Sequence, residues 1–102
     1  ARKTAEQQDT ERLLARNAPA LRFRLNHRQL AVLRSALKHP DAPLRIDAHQ
    51  HTHGVVYQTA RADLLDLASL GLLLKAKRGN AYEFYPEPGL LTKIEGLAHA
   101  QA

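Results

Sequence analysis

The stretch from Gly54 to Tyr85, GVVYQTARADLLDLASLGLLLKAKRGNAYEFY, constrains the fold more than any other part of the chain. A glycine turn leads into an amphipathic helix over about 56–70. Ala60, Leu64, Leu67 and Ala68 fall there at i, i+4, i+7 and i+8 and share one face. Gly71 supplies the left-handed residue that ends such a helix. Two short strands follow, joined by a basic Arg78-Gly79-Asn80 turn and closing on aromatic residues. A three-residue loop pairs Lys77 with Ala81, Ala76 with Tyr82, Lys75 with Glu83 and Leu74 with Phe84. Leu74, Ala76, Tyr82 and Phe84 then share the core face and the Lys75–Glu83 pair lies on the other. In this register Asn80 takes the positive φ at the loop's third residue.

The upstream half supplies the partners for that helix. Residues 3–17 (KTAEQQDTERLLARN) are polar helix formers whose apolar face is little more than Leu13 and Leu14, so the helix needs something to pack against. Pro19 is expected to break it. Asn26 caps a second helix over about 27–39, with Gln29 placed for a capping box and Leu30, Leu33, Ala36 and Leu37 inward. Leu44-Arg45-Ile46 reads as a short strand. Asp47 then caps a short helix over about 48–53, and Gly54 turns the chain. Pro86 and Pro88 end the hairpin, and 89–99 reads as a last helix with Leu90, Ile94 and Leu97 inward.

The order α, α, β, α, α, β, β, α predicts an α+β fold, mainly α. It is a winged helix-turn-helix with a small antiparallel hairpin wing and flanking N- and C-terminal helices. The expected organisation is a helical arm over 1–20, the winged domain over 21–88 and a C-terminal helix over 89–102. The absence of Cys excludes disulfides and thiolate metal sites and suits a cytoplasmic location. The absence of Met suggests a chain excised from something longer. No apolar run nears the roughly 20 residues of a membrane span. A net charge of +5 and a pI near 10 suit a polyanionic partner, though charge alone is equally an inert basic surface.

Candidate binding residues lie on the second long helix and on the wing. Gln58 and Arg61 are placed to read adenine and guanine edges, Ala62 lies beside them, and Thr59 is placed near a phosphate. Against this, the helix offers one base on that face, and Asp66 beside it would repel phosphate. Leu65, also outward, suits a protein contact. Lys75, Lys77, Arg78 and Asn80 make the wing the stronger electrostatic candidate, or a charged hairpin tip that resists edge pairing. Asp63 has a structural reading, pairing with Arg45 or capping a nearby helix. In His49-Gln50-His51-Thr52-His53 only His49 and His53 share a helical face. Without a placed third ligand the reading is three exposed histidines and no metal. No cofactor is implied. Nor is catalysis, since there is no Gly-rich phosphate loop, no Cys nucleophile and no Ser with a plausible base.

Two motifs carry a family resemblance. Leu25-Asn26-His27-Arg28-Gln29 opens a helix. Thr59-Ala60-Arg61-Ala62-Asp63-Leu64-Leu65-Asp66-Leu67 leads to Gly71-Leu72-Leu73 and an aromatic hairpin. Over about 25–86 this resembles the C-terminal winged-helix region of Fic-family proteins. Val56 and Ala62 stand where many members have Ser and Arg. Fic enzymes transfer AMP to protein hydroxyls through a motif of the form HPFxxGNGR. Here the one His-Pro pair, His39-Pro40, is followed by Asp41-Ala42-Pro43. The resemblance therefore implies a non-catalytic accessory module, with an upstream catalytic domain of the same polypeptide and the first helix as its joint. Its own partner is DNA or protein, including a second copy in a homodimer.

Overall fold

The computed structural model describes residues 5–22 and 24–100. Its elements are α1 (Ala5–Leu21), α2 (His27–Lys38), β1 (Leu44–Arg45), α3 (Ile46–His53), α4 (Tyr57–Ser69), β2 (Leu73–Arg78), β3 (Ala81–Pro86) and α5 (Leu90–Ala100). The expected order holds, and the architecture is a winged helix-turn-helix. Residues 3 and 4 of the expected first helix, and the Leu13 side chain, lie outside the described residues.

α1 does not stop at Pro19. A proline removes one helical N–H, but α1 ends only two residues later, and Arg22 still donates to the Ala18 carbonyl at 3.0 Å. The extra turn brings Leu21 into the core with no exposed surface, seven residues after the buried Leu14. Burying a leucine is worth about 1.5–3 kcal/mol, enough to offset much of the proline's cost. The partner that this polar helix needs is α5, with α2 on its flank.

α2 starts as expected. The Gln29 N–H donates to the Asn26 side chain at 2.8 Å, and the Asn26 N–H donates to Gln29 Oε1 at 3.0 Å. Its inward stripe is broader than read. Leu33 and Ala36 are buried and Leu30 and Leu37 half-buried, but Val32 and Gln29 are buried too. α3 begins two residues earlier than expected, at Ile46, because that side chain turns inward to 5% exposure. Asp47 therefore sits inside the first turn, where its Oδ1 accepts from the Ala48 N–H at 2.8 Å. Arg45 is the cap residue and gives no side-chain bond. Gly54 at φ +61 closes α3 in the left-handed conformation that a side chain resists.

The three strands are antiparallel in the order β1-β3-β2. The hairpin register differs by one residue from the sequence reading. Leu73 faces Pro86, Leu74 faces Tyr85, Lys75 faces Phe84, Ala76 faces Glu83, Lys77 faces Tyr82 and Arg78 faces Ala81. The loop is the two residues Gly79-Asn80, with positive φ at Gly79 alone, the pattern of a type II′ turn whose twist matches the strands. Helix packing decides the register. α4 ends by delivering both Leu72 and Leu73 into the core, and alternation then turns Leu74 out to 46% exposure. Phe84 remains the central core aromatic. α5 covers the open side with Leu90, Ile94 and Ala98 buried and Leu97 half-buried.

Candidate nucleic-acid interface

α4 is built with two unlike sides. Ala60, Leu64 and Leu67 are fully buried and set its depth. Flanking them, Asp63 and Asp66 stand three residues apart and so share one edge of the helix. Asp63 is buried against α2, and Asp66, still 33% exposed, pairs at its edge with Arg24 and Gln29.

Asp63 is the hub. Arg28 Nε donates to its Oδ2 at 2.7 Å and Arg28 Nη2 to its Oδ1 at 3.1 Å. Asn26 Nδ2 donates to Oδ1 at 3.0 Å, and His49 Nε2 lies 2.9 Å from Oδ2. Burial alone would raise this carboxyl. The bonds from Arg28, Asn26 and His49, with the Arg28 charge, outweigh it and hold the group down at about 2. The structural role expected for Asp63 is present with different partners, since Arg45 pairs instead with Asp47 at 3.3 Å.

Asp66 is half-buried and its charge is paired. Arg24 grips it with two guanidinium nitrogens at 3.1 and 3.0 Å, and Gln29 Nε2 adds a bond at 2.9 Å. The Arg24 bond, against some desolvation, holds its carboxyl below the usual range. Leu65, expected outward, is half-buried against the core. Sequence reading missed Arg24, Arg28 and the second role of Gln29. The available signal was two carboxylates flanking an apolar stripe, which demand partners when buried.

The histidines also differ from the expectation of three exposed rings. His49 is buried at 7% exposure, His53 is half-buried and His51 alone is exposed. The shared face of His49 and His53 packs inward because Asp63 offers His49 an acceptor. Their rings meet edge-on at 4.7 Å, and His27 approaches His53 at 6.3 Å. Burial, then the charges of His49, His27 and Arg28, lower the His53 imidazole below its ordinary value. Among the described residues no group of three ligating side chains is placed to hold a metal.

Elsewhere on α4, Gln58, Arg61 and Ala62 are exposed and Thr59 half-buried, with Asp66 one turn beyond Ala62. Val56 caps the helix with no side-chain bond, which leaves first-turn N–H groups at the positive helix end without that partner. Lys75, Lys77, Arg78 and Asn80 are all exposed on the wing. Lys75 Nζ sits 4.9 Å above the Tyr82 ring, and Arg78 meets Glu83 at 3.3 Å. Glu83, expected opposite Lys75, instead also accepts from the Tyr85 hydroxyl at 3.1 Å. The structure therefore exposes Gln58 and Arg61 on α4 and all four wing residues, leaves Thr59 half-buried, buries Asp63 and pairs Asp66.

Comparison with known proteins reaches the fold and stops there. No family model matches the chain, and no curated protein matches it. A possible transcriptional regulator from Methanosarcina mazei Go1 superposes with TM-score 0.62 at 19% identity, over 79% of this chain and 72% of that one. A homodimeric winged helix-turn-helix DNA-binding domain from Mycobacterium bovis, from a possible ArsR-family transcriptional regulator, superposes with TM-score 0.57 at 21% identity. That match covers 98% of this chain and 87% of that one. The fold is that of winged helix-turn-helix DNA-binding domains. None of these comparisons carries the Fic resemblance, which rests on its two motifs.

Proposed function

We propose that this chain is a non-catalytic DNA-docking module. The observation that carries the proposal is the pairing of Asp63 and Asp66. Asp66 was one of the sequence's arguments against DNA, and its pairing with Arg24 and Gln29 compensates that charge. α4 then presents Gln58 and Arg61 to base edges, each worth about 1–3 kcal/mol of discrimination when bidentate. The α4 N-terminus and Thr59 face a phosphate, and Lys75, Lys77, Arg78 and Asn80 hold the backbone through the wing. The Mycobacterium bovis neighbour, a homodimeric DNA-binding domain, supports docking as a pair.

One observation favours a second reading, a protein-contact module. Among the described residues, Val56, Tyr57 and Leu74 are the large apolar side chains left exposed, two of them at the start of α4. The finer assignment, an accessory module of a Fic protein with its catalytic domain upstream, belongs to the motif resemblance. A preceding segment bearing HPFxxGNGR would decide it.

The test is fluorescence anisotropy with mixed-sequence duplex DNA across about 50–200 mM salt, where phosphate contacts give a steep log–log dependence. Binding that weakens with salt and collapses in a Lys75→Ala, Lys77→Ala, Arg78→Ala triple variant is the expected result. No binding at the low-salt end would overturn the docking proposal in favour of the protein-contact reading.

A further inference from the structure

A cavity of about 250 Å³ opens between α2, β1 and α3, away from the residues assigned to DNA. Buried Val32 and Leu64 form its floor, with Leu44 half-buried beside them. Each polar side chain in its lining is able to donate a hydrogen bond. Arg45, His49 and His53 bring cationic or N–H groups, Ser35 and Thr52 bring hydroxyls, and no carboxylate lines it. An apolar floor under a rim of donors fits a small ligand with an apolar body and an anionic head. The size is adequate, since about 150 Å³ suffices for a benzene ring in an apolar protein cavity. Arg45 is available to such a head. Its partner Asp47 meets it at 3.3 Å on exposed surface, and exposed pairs of this kind hold weakly.

The cavity shares two residues with the machinery that sets α4. Leu64 belongs to α4 itself. His49 lines the cavity, and its Nε2 lies 2.9 Å from Asp63 Oδ2. A ligand that moves the His49 ring therefore moves a partner of the α4 hub.

We infer that this cavity is an effector site for a small aromatic carboxylate, whose occupancy reaches α4 through the His49–Asp63 hydrogen bond. Its meaning as regulation rests on the DNA-docking proposal. Arg45 takes the carboxylate, bidentate in the geometry that guanidinium favours. The ring lies on Val32, Leu44 and Leu64. The occupied state biases the angle at which α4 is held, without a ligand touching the outward face.

The experiment is an NMR titration of the full chain with benzoate, with neutral benzamide as the matched probe and no DNA present. Saturable benzoate shifts at the amides of Ala31, Ala48 and Thr52, joined by the side-chain carboxyl carbon of Asp63, are expected. Benzamide and the Arg45→Gln variant are expected to bind about tenfold more weakly, the equivalent of one lost charge-assisted hydrogen bond. His49→Phe keeps the cavity shifts and loses the Asp63 response. Ser35→Trp, a change at an exposed rim position that leaves the core alone, abolishes binding. Absence of saturable shifts, equal affinity for benzamide, or an Asp63 response that survives in His49→Phe would each overturn the inference. Since DNA is absent throughout, failure of the docking proposal shows in the anisotropy experiment and failure of the cavity shows here.

Discussion

α4 and the wing are both read as DNA-facing, yet they are held in opposite ways. α4 is fastened along its inner edge by Asp63 and Asp66, which tie it to Asn26, Arg28, Gln29 and Arg24 before or on α2 and to His49 on α3. Its outward side carries few charges. The wing is the reverse. Its residues are exposed from Leu74 to Ala81, its cations meet the Tyr82 ring through Lys75 and the Glu83 carboxylate through Arg78, and its core anchors are Leu73 and Phe84. The difference separates two tasks. A buried, hydrogen-bonded carboxylate fixes geometry because removing a partner strands the rest. Exposed cations on a mobile-length side chain supply charge and need little fixed geometry.

The largest expected effect tests the fastened side. Asp63→Ala leaves the Arg28 guanidinium and the His49 ring without their acceptor at a site only 5% exposed. It should cost about 3 kcal/mol in urea or thermal unfolding, near the cost of breaking a buried ion pair. An effect as small as that of an ordinary surface substitution would show that the hub does not hold α4.

The wing variant tests the other half. Lys75→Ala, Lys77→Ala and Arg78→Ala together should leave unfolding within a few tenths of a kcal/mol per site. The slope of log affinity against log salt should fall by about 2.7 if all three residues neutralise phosphates. A large loss of stability with an unchanged slope would reverse the roles assigned to the two regions.

Val56→Asp addresses the N-terminal end of α4. Val56 is 67% exposed and caps α4 without a side-chain bond, so an acid there should stabilise the helix by about 1 kcal/mol. The same carboxylate competes with a phosphate for the helix end and should weaken DNA binding. Stabilisation with unimpaired binding would place the phosphate elsewhere.

The smallest effects are those of pH. The folded Asp63 carboxyl is depressed from 3.8 to about 2, so its contribution is present above about pH 4 and is lost as pH falls toward 2. His53 is also depressed, and because its neutral form is the one the fold favours, its contribution is present above its ordinary value of 6.5 and declines below it. Thermal melts from pH 7.5 to 5.5 should show a mild loss of stability that His53→Gln flattens. An unchanged slope in that variant would assign the loss to other groups.

Much of this molecule was readable from local rules. The Asn26–Gln29 capping box, the apolar stripe of α4, the left-handed glycines 54 and 71 and the order of elements each depend on residues a few positions apart. One sequence therefore suffices to find them. The wing cations were legible for the same reason, since a charged hairpin tip is a local pattern. What tertiary structure decided is everything that depends on distant partners. Whether Asp66 faced phosphate or Arg24 turned on a residue 42 positions away. Whether His49 was exposed or buried turned on Asp63 in the next helix. The hairpin slipped by one residue because α4 delivers Leu72 and Leu73 to the core together, and a period of two cannot tell which of two adjacent leucines is inside. α1 ran past Pro19 because Leu21 had a core to enter. Local chemistry determined which elements form, and burial against partners far along the chain determined which face of each one meets solvent.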